Sequence, residues 1–291
     1  MASENTSKWP FRWDLLLRYR FIETLVLWEG RLTTRHLCDT FGIGRQQASK
    51  DINNYLREVG PGNLEYDKYL KGYKPTDNFS PRVTQGLADE YLHLMARNNE
   101  LMNMFESLSL NVANVEVLSL PVRDVRPDVL RPIMQAARQQ RRLEVDYVSI
   151  NNPDREGRII VPHTLVYTGL RWHVRAWCEK NQEYRDFVLS RFRDIPEIME
   201  ESEHGAAGDT EWNTDVTVRI TPDPRLSAAQ REVVEVDYGM QNGALEIHTR
   251  GKLVPYVLKL LHVDPGEPAA DPTAQQIVLA NRETLDQWLF G

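Results

Sequence analysis

Between residues 145 and 191 the chain gathers cations and hydrogen-bonding groups at spacings that β-strands would sort onto one surface. Strand side chains alternate between two faces. That period puts Val145, Tyr147 and Ser149 on one face of a first strand. It puts Arg171, His173 and Arg175 together on a third strand, opposite Trp172 and Val174, and groups Arg185, Phe187, Leu189 and Arg191 on a fourth. Guanidinium groups present paired N–H donors that suit phosphate or carboxylate, and Tyr, Ser and His can add hydrogen bonds. The chemistry expected is capture of an anionic ligand in a basic cup. Trp172, Trp177, Phe187 and Leu189 read as core, and Arg193 as an ion-pair partner of nearby acids. His163, after Pro162 at a strand bend, reads as either a ligand contact or a core histidine. Arg185 and Arg191 are the leading site candidates.

A second set lies near the amino terminus. Arg45, Gln46, Gln47, Ser49, Lys50, Asn53 and Asn54 fall on the outward side of a helix expected over residues 45–59, whose buried stripe is Ala48, Ile52, Tyr55 and Leu56. Gln and Asn can bond adenine in pairs, while Arg and Lys reach guanine or phosphate. A merely solvated face favours Glu and Lys, so this density of amides points to DNA reading. The elements that must hold the helix are legible. Leu16, Leu17, Phe21, Leu25 and Trp28 recur at helical spacing and Gly30 ends that helix; Thr33 or Thr34 caps a second over 34–41. Phe41-Gly42-Ile43-Gly44 is then a tight turn, giving the helix-turn-helix pattern. Residues 64–75 alternate aromatics and lysines as a two-stranded wing would, with Lys68, Lys71 and Lys74 near phosphates. Phosphate contacts set register and salt dependence rather than sequence choice.

The bulk properties bound the rest. A chain of 291 residues is long enough for two or three domains. Its net charge of −7 argues against nucleic acid taken alone, yet residues 1–80 hold 12 Lys/Arg against 10 Asp/Glu and the remainder 23 against 32. A basic head on an acidic body is thus weakly indicated. No apolar run approaches the roughly 18 residues of a membrane span, so no membrane partner is expected. Cys38 and Cys178 are far apart and His36 near Cys38 lacks a second pair, so no metal site is expected and a reduced, cytoplasmic protein is the plain reading. Residues 82–107 and 128–142 read as helices around a strand-like piece, Val115–Val122, forming either bland packing or a dimer seam.

The strand segments also resemble the WYL domain of bacterial transcriptional regulators. The likeness rests on Tyr147, on Pro162–Leu165, on Trp172-His173-Val174 in place of Trp-Tyr-Leu, and on the Arg185-x-Phe187-x-x-x-Arg191 end. The resemblance implies an Sm-like β-barrel that binds a nucleotide or nucleic-acid fragment. Carried over, its pocket uses Tyr147, Ser149, His163, Arg185 and Arg191, while His173 departs from the family's Tyr. Residues 214–291 are similar to the WCX extension, with strands near 216–221 and 245–249 and helices near 227–236 and 253–262. The layout is α+β and multidomain: a winged helix-turn-helix over 1–80, a helical linker over 81–142, the WYL domain over 143–200 and the WCX domain over 214–291. It is most similar to BrxR/CapW-type repressors of phage-defence operons. That implies a homodimer on a double-stranded operator with an inverted repeat, controlled by an anionic effector.

Catalytic constellations are missing. There is no phosphate-binding glycine loop, no G-x-S-x-G elbow and no H-E-x-x-H, and Glu179-Lys180 has the wrong spacing for a nuclease after Pro153-Asp154. Neither an enzyme nor a cofactor is expected. The alternative class is a single-stranded RNA or DNA binder working through the basic barrel, where aromatics beside Arg could stack on bases.

Overall fold

The structure is a computed structural model that describes residues 11–94, 123–150, 153–154, 156–266 and 269–289. The expected strand-like piece Val115–Val122 and the second half of the expected 82–107 helix lie outside the described residues. The chain divides into two compact units, residues 1–120 and 121–291.

In the first unit, helices α1 (Trp13–Glu29), α2 (Thr34–Phe41) and α3 (Arg45–Asn54) precede the hairpin β1 (Leu64–Asp67) and β2 (Gly72–Pro75). Gly30 and Gly42 take left-handed φ of 67° and 63° and turn their N–H groups onto Val26 and Cys38 carbonyls, which ends α1 and α2 as the sequence implies. α3 continues into a single π-type turn, Tyr55–Val59, rather than a regular helix to Val59. Tyr19, Ile22, Leu37, Ile52 and Tyr55 are fully buried and form the core with Leu25, Val26 and Leu32. Burying each aliphatic side chain contributes about 1.5–3 kcal/mol.

This unit extends past residue 80. The buried Glu23 carboxylate accepts the backbone N–H groups of Arg82, Val83 and Thr84 at 2.8–2.9 Å, together with the Tyr55 hydroxyl. Three backbone donors and the Thr84 hydroxyl on one carboxylate tie the segment after the wing to α1. A helical stretch follows at 88–94.

The second unit opens with α4 (Pro127–Gln139) and a five-stranded antiparallel sheet of β3 (Arg141–Tyr147), β4 (Glu156–Tyr167), β5 (Trp172–Cys178), β6 (Glu183–Val188) and β7 (Glu197–Glu201). Val129, Ile133 and Ala136 of α4 pack into the core of this sheet with Leu143, Val145, Ile160, Val174 and Phe187. The helices expected between the head and the sheet are therefore shared out, the first portion to the head and α4 to the sheet. The strand order is β6-β5-β4-β3-β7, which leaves β6 and β7 as edges, so the pairing among the described residues is an open sheet and not the closed barrel that the resemblance implies. A register shift between Pro162 and Thr164 bulges β4, as a proline that cannot donate to the ladder would require.

A 3-10 turn (Ala206–Gly208) and the short helix α5 (Thr210–Asn213) lead to a three-stranded sheet of order β10-β8-β9, formed by β8 (Asp215–Pro222), β9 (Leu245–Arg250) and β10 (Ile277–Leu279). Helices α6 (Ala228–Asp237), α7 (Val254–Leu260) and α8 (Arg282–Leu289) cover it around Val218, Ile220, Val254, Leu258 and Leu285. The first four elements fall where the sequence puts them; β10 and α8 went unread, being short and set among prolines and charges. Among the described residues no helix is long and apolar enough to cross a membrane, and no His/Cys/Asp/Glu group could hold a metal ion.

Candidate functional site

The outward face of α3 is built from below by a buried acid. Asp51, 1% exposed, accepts Arg18 Nε of α1 at 2.7 Å on one oxygen and Gln47 Nε2 at 2.7 Å on the other. This fixes the rotation of α3 against α1 and spends Gln47 on a tether within the protein. Asn54 accepts from Arg57 at 2.8 Å and is likewise engaged. Ser49 is half-buried, while Arg45, Gln46, Lys50 and Asn53 are exposed without side-chain partners among the described residues. These four are what α3 offers to a ligand. Asp51 was not singled out from sequence, although a lone acid in a run of amides and cations was a usable signal.

The wing divides its lysines. Lys74 lies between Glu65 at 3.1 Å and Asp67 at 3.3 Å, so its charge is largely matched within the hairpin. Lys68 and Lys71 stay exposed at the tip, where Lys71 takes a left-handed φ of 48°. Between them Tyr69, one of the wing's alternating aromatics, is 97% exposed. Asp67 shapes the tip by accepting the N–H groups of Tyr69 and Leu70 at 2.8 and 3.0 Å.

In the second unit the residues expected to line the basic cup do not share one environment. Tyr147 is a core residue, 4% exposed, edge-on to Phe187 and Phe192; its hydroxyl accepts the Val188 N–H at 3.1 Å, and Arg158 lies over its ring. Ser149 sits beyond the end of β3 and is half-buried. Arg185 is exposed on edge strand β6 and paired with Glu183 at 2.5 Å. Arg191 does not continue the face of Arg185, because the strand stops at Val188 and Leu189–Arg191 forms a 3-10 turn that breaks the period of two.

Arg175 and His163 converge on an acid the sequence reading missed. Asp209 accepts Arg175 Nε at 2.7 Å and Nη2 at 3.1 Å, lies 3.2 Å from His163 Nε2, and caps α5 by accepting the Trp212 N–H. Burial alone would push this carboxyl up, but the bonds from His163 and Arg175 hold it far below the usual carboxylate range. Arg175, fully buried, also meets Glu211 at 2.7 Å and Asp186 at 3.4 Å. Three acids on one guanidinium make Arg175 a buried fastener between the two sheets, not a free anion binder. His163 takes the core-histidine alternative, with Thr164 Oγ1 2.8 Å from its Nδ1. His173 is buried against Tyr256 of α7, ring centroids 5.4 Å apart.

A three-helix head with an exposed polar third helix and a cationic wing defines a winged helix-turn-helix DNA-binding class of protein, here joined to a sheet domain and a small α/β domain. Family comparisons agree segment by segment. Residues 14–97 match the BrxR transcriptional regulator winged helix-turn-helix domain, residues 128–196 the WYL domain, and residues 215–285 the BrxR transcriptional regulator C-terminal dimerization domain. The chain belongs to the BrxR/CapW family of WYL-domain transcriptional regulators. It is 33% identical over 281 residues to the DNA-binding transcriptional repressor CapW of Escherichia coli, covering 94% of this chain and 91% of that one. It is 32% identical over 290 residues to CapW of Stenotrophomonas maltophilia, covering 99% and 96%, and 33% identical over 278 residues to CapW of Pseudomonas aeruginosa, covering 94% and 91%. A structure of proteasome accessory factor B/C of Arthrobacter aurescens aligns over 98% of this chain and 50% of its own, at 16% identity and a TM-score of 0.26, too low to bear on the fold.

Proposed function

We propose that this protein is a sequence-specific, double-stranded-DNA-binding transcriptional repressor. It acts as a homodimer on an operator with an inverted repeat, controls a phage-defence operon, and releases DNA when an anionic nucleotide or nucleic-acid fragment occupies the WYL domain. The observation that carries the DNA-binding part is the face of Arg45, Gln46, Lys50 and Asn53, exposed on a helix whose rotation Asp51 and Arg18 fix. Base edges are read by such amides and cations, and phosphates by Lys68 and Lys71. The names of the relatives and of the matched carboxy-terminal dimerization domain support repression and pairing. Two recognition helices would then enter successive major grooves.

Regulation follows from differential affinity. An effector that prefers a dimer geometry with the wrong helix spacing by about 1–3 kcal/mol weakens operator binding roughly 5- to 150-fold. The Arg175–Asp209 fastener gives a route, since it links β5 to the segment that enters the carboxy-terminal domain.

The test is fluorescence anisotropy on the duplex upstream of the protein's own gene against a scrambled duplex, across a salt series. Selective binding lost in Gln46→Ala/Asn53→Ala is expected. Equal weak binding to both duplexes would instead favour the single-strand reading, for which the observation is the half-exposed pair Tyr167 and Trp172, ring centroids 5.1 Å apart at the β4–β5 turn.

A further inference from the structure

The three-stranded sheet of the carboxy-terminal domain has two edges of different kinds. β10 is three residues long, whereas β9 runs six residues without proline, glycine or a register shift, and among the described residues pairs only with β8. A regular edge strand presents a row of unpaired N–H and C=O groups, which folded proteins normally shorten, bend or cover. Apolar burial is incomplete along the same edge. Leu245 and Ile247 pack on the core face but stay half-buried, while Ile220 and Val218, their neighbours in register on β8, are fully buried. Glu246, His248 and Arg250 line the opposite face. Arg219 stands opposite Glu246 in register and Asp215 opposite Arg250, yet neither Glu246 nor Arg250 has an ion-pair partner among the described residues. Arg250 instead donates Nη1 to the Trp212 carbonyl at 2.6 Å and lies over the Trp212 ring. His248 Nδ1 is 2.9 Å from Thr217 Oγ1.

We propose that β9 is the pairing edge of the homodimer. A second copy of this chain adds its own β9 antiparallel, about a two-fold axis perpendicular to the sheet and centred on His248, so that two three-stranded sheets become one of six strands. The inference deepens the homodimer reading above and rests on it. The matched dimerization domain makes a second copy the occupant but specifies neither an edge nor a register.

Charge and burial select the register. An axis perpendicular to the sheet keeps the helices of both copies on one side, so each β9 residue meets one of the same face. With His248 opposite the partner's His248, Glu246 meets the partner's Arg250, and Arg250 the partner's Glu246. Two opposite-charge cross-strand pairs result, from side chains that lack an ion pair within the chain. Ile247 then lies opposite the partner's Thr249, whose methyl covers apolar surface left open at the edge. Centring the pair on Ile247 would leave Arg250 without an acid, and centring it on Glu246 would set carboxylate against carboxylate. The exposed Val233 and Val236 of α6 suit self-pairing less well, because Glu232 and Asp237 on the same helix would bring acids of both copies together.

Sedimentation equilibrium of the full chain with charge reversals tests this. Glu246→Arg sets arginine against arginine across the axis, and Arg250→Glu sets glutamate against glutamate. Each variant alone should raise the dimer dissociation constant about tenfold or more. Mixed together, the two should form a heterodimer about as tight as the parent dimer, since both cross-strand pairs are then complementary. A folding defect in either variant could not produce that rescue. In a Cys38→Ala background, His248→Cys should cross-link the dimer under mild oxidation, because opposite Cα atoms of an antiparallel pair lie about 4.5–5.5 Å apart, within disulfide reach. Val233→Cys should not. Reversals that leave the dissociation constant unchanged, a mixture no tighter than its components, or cross-linking through Val233→Cys in place of His248→Cys overturns the proposal. Reversed variants that stay dimeric and still bind operator would sink the β9 edge and leave the repressor reading standing. A parent chain that is monomeric both in solution and on the operator would sink the edge and the homodimer together.

Discussion

Lys68 and Lys74 carry the same charge on the same hairpin, and the structure gives them different work. Lys74 faces Glu65 and Asp67, so Lys74→Ala should change DNA affinity little. Lys68→Ala should weaken operator and scrambled duplex alike and reduce the salt slope by about one phosphate equivalent, read from affinity against salt concentration. Asn53→Ala should cost about 1–3 kcal/mol on the operator and much less on scrambled DNA, the mark of a base contact. Acid adds a further check. The half-buried ring of His36 accepts the Thr33 N–H at 3.4 Å at the start of α2, and burial followed by Arg31 lowers its pKa. A histidine whose folded value is depressed contributes stability present above the unfolded value of about 6.5 and lost as pH falls through the lower folded one. The melting temperature of the head should therefore drop between about pH 7 and pH 5. His36→Asn, which can accept the same N–H without titrating, should flatten that drop.

At the scale of elements, Glu23 decides where the head ends. Its carboxylate holds the N–H groups of residues 82–84 against α1, inside the core that Tyr55 closes. Glu23→Ala leaves those donors without a partner and should cost about 3 kcal/mol or more. Amide hydrogen exchange should speed up first at Val83 and Thr84, before α3 is affected. If those amides stay as protected as in the parent, the carboxylate does not carry the segment. The bulge in β4 plays a similar local part, since the extra residue turns His163 toward Asp209.

At the scale of the whole molecule, apolar burial among the described residues is split between separate cores, one in the first unit and two in the second. Leu37→Ala and Ile160→Ala remove fully buried aliphatic side chains from different units and should each cost about 2–5 kcal/mol. Calorimetry should show Leu37→Ala lowering one transition and Ile160→Ala the other. Equal movement of both by either variant would mean that the two units melt as one.

Local pattern carried much of the head: helical periodicity and the Gly30 and Gly42 stops are short-range signals that survive folding, whereas the end of α3 and the engagement of Gln47 and Asn54 were not legible. The WYL strands and the first four elements of the carboxy-terminal domain were legible for the same reason, and the family likeness followed from their order. The pairing of charges was not. Which acid meets Arg175, whether Gln47 faces outward or binds Asp51, and why Lys74 differs from Lys68 depend on groups as far as 34 residues apart in the chain. Strand alternation grouped Arg175 with Arg171 and His173 but could not reveal that Asp209 arrives from beyond the sheet to cover it. Periodicity reports which way a side chain points; only tertiary structure decides whether its charge is already answered, because Coulombic pairing depends on distance in space and not along the chain.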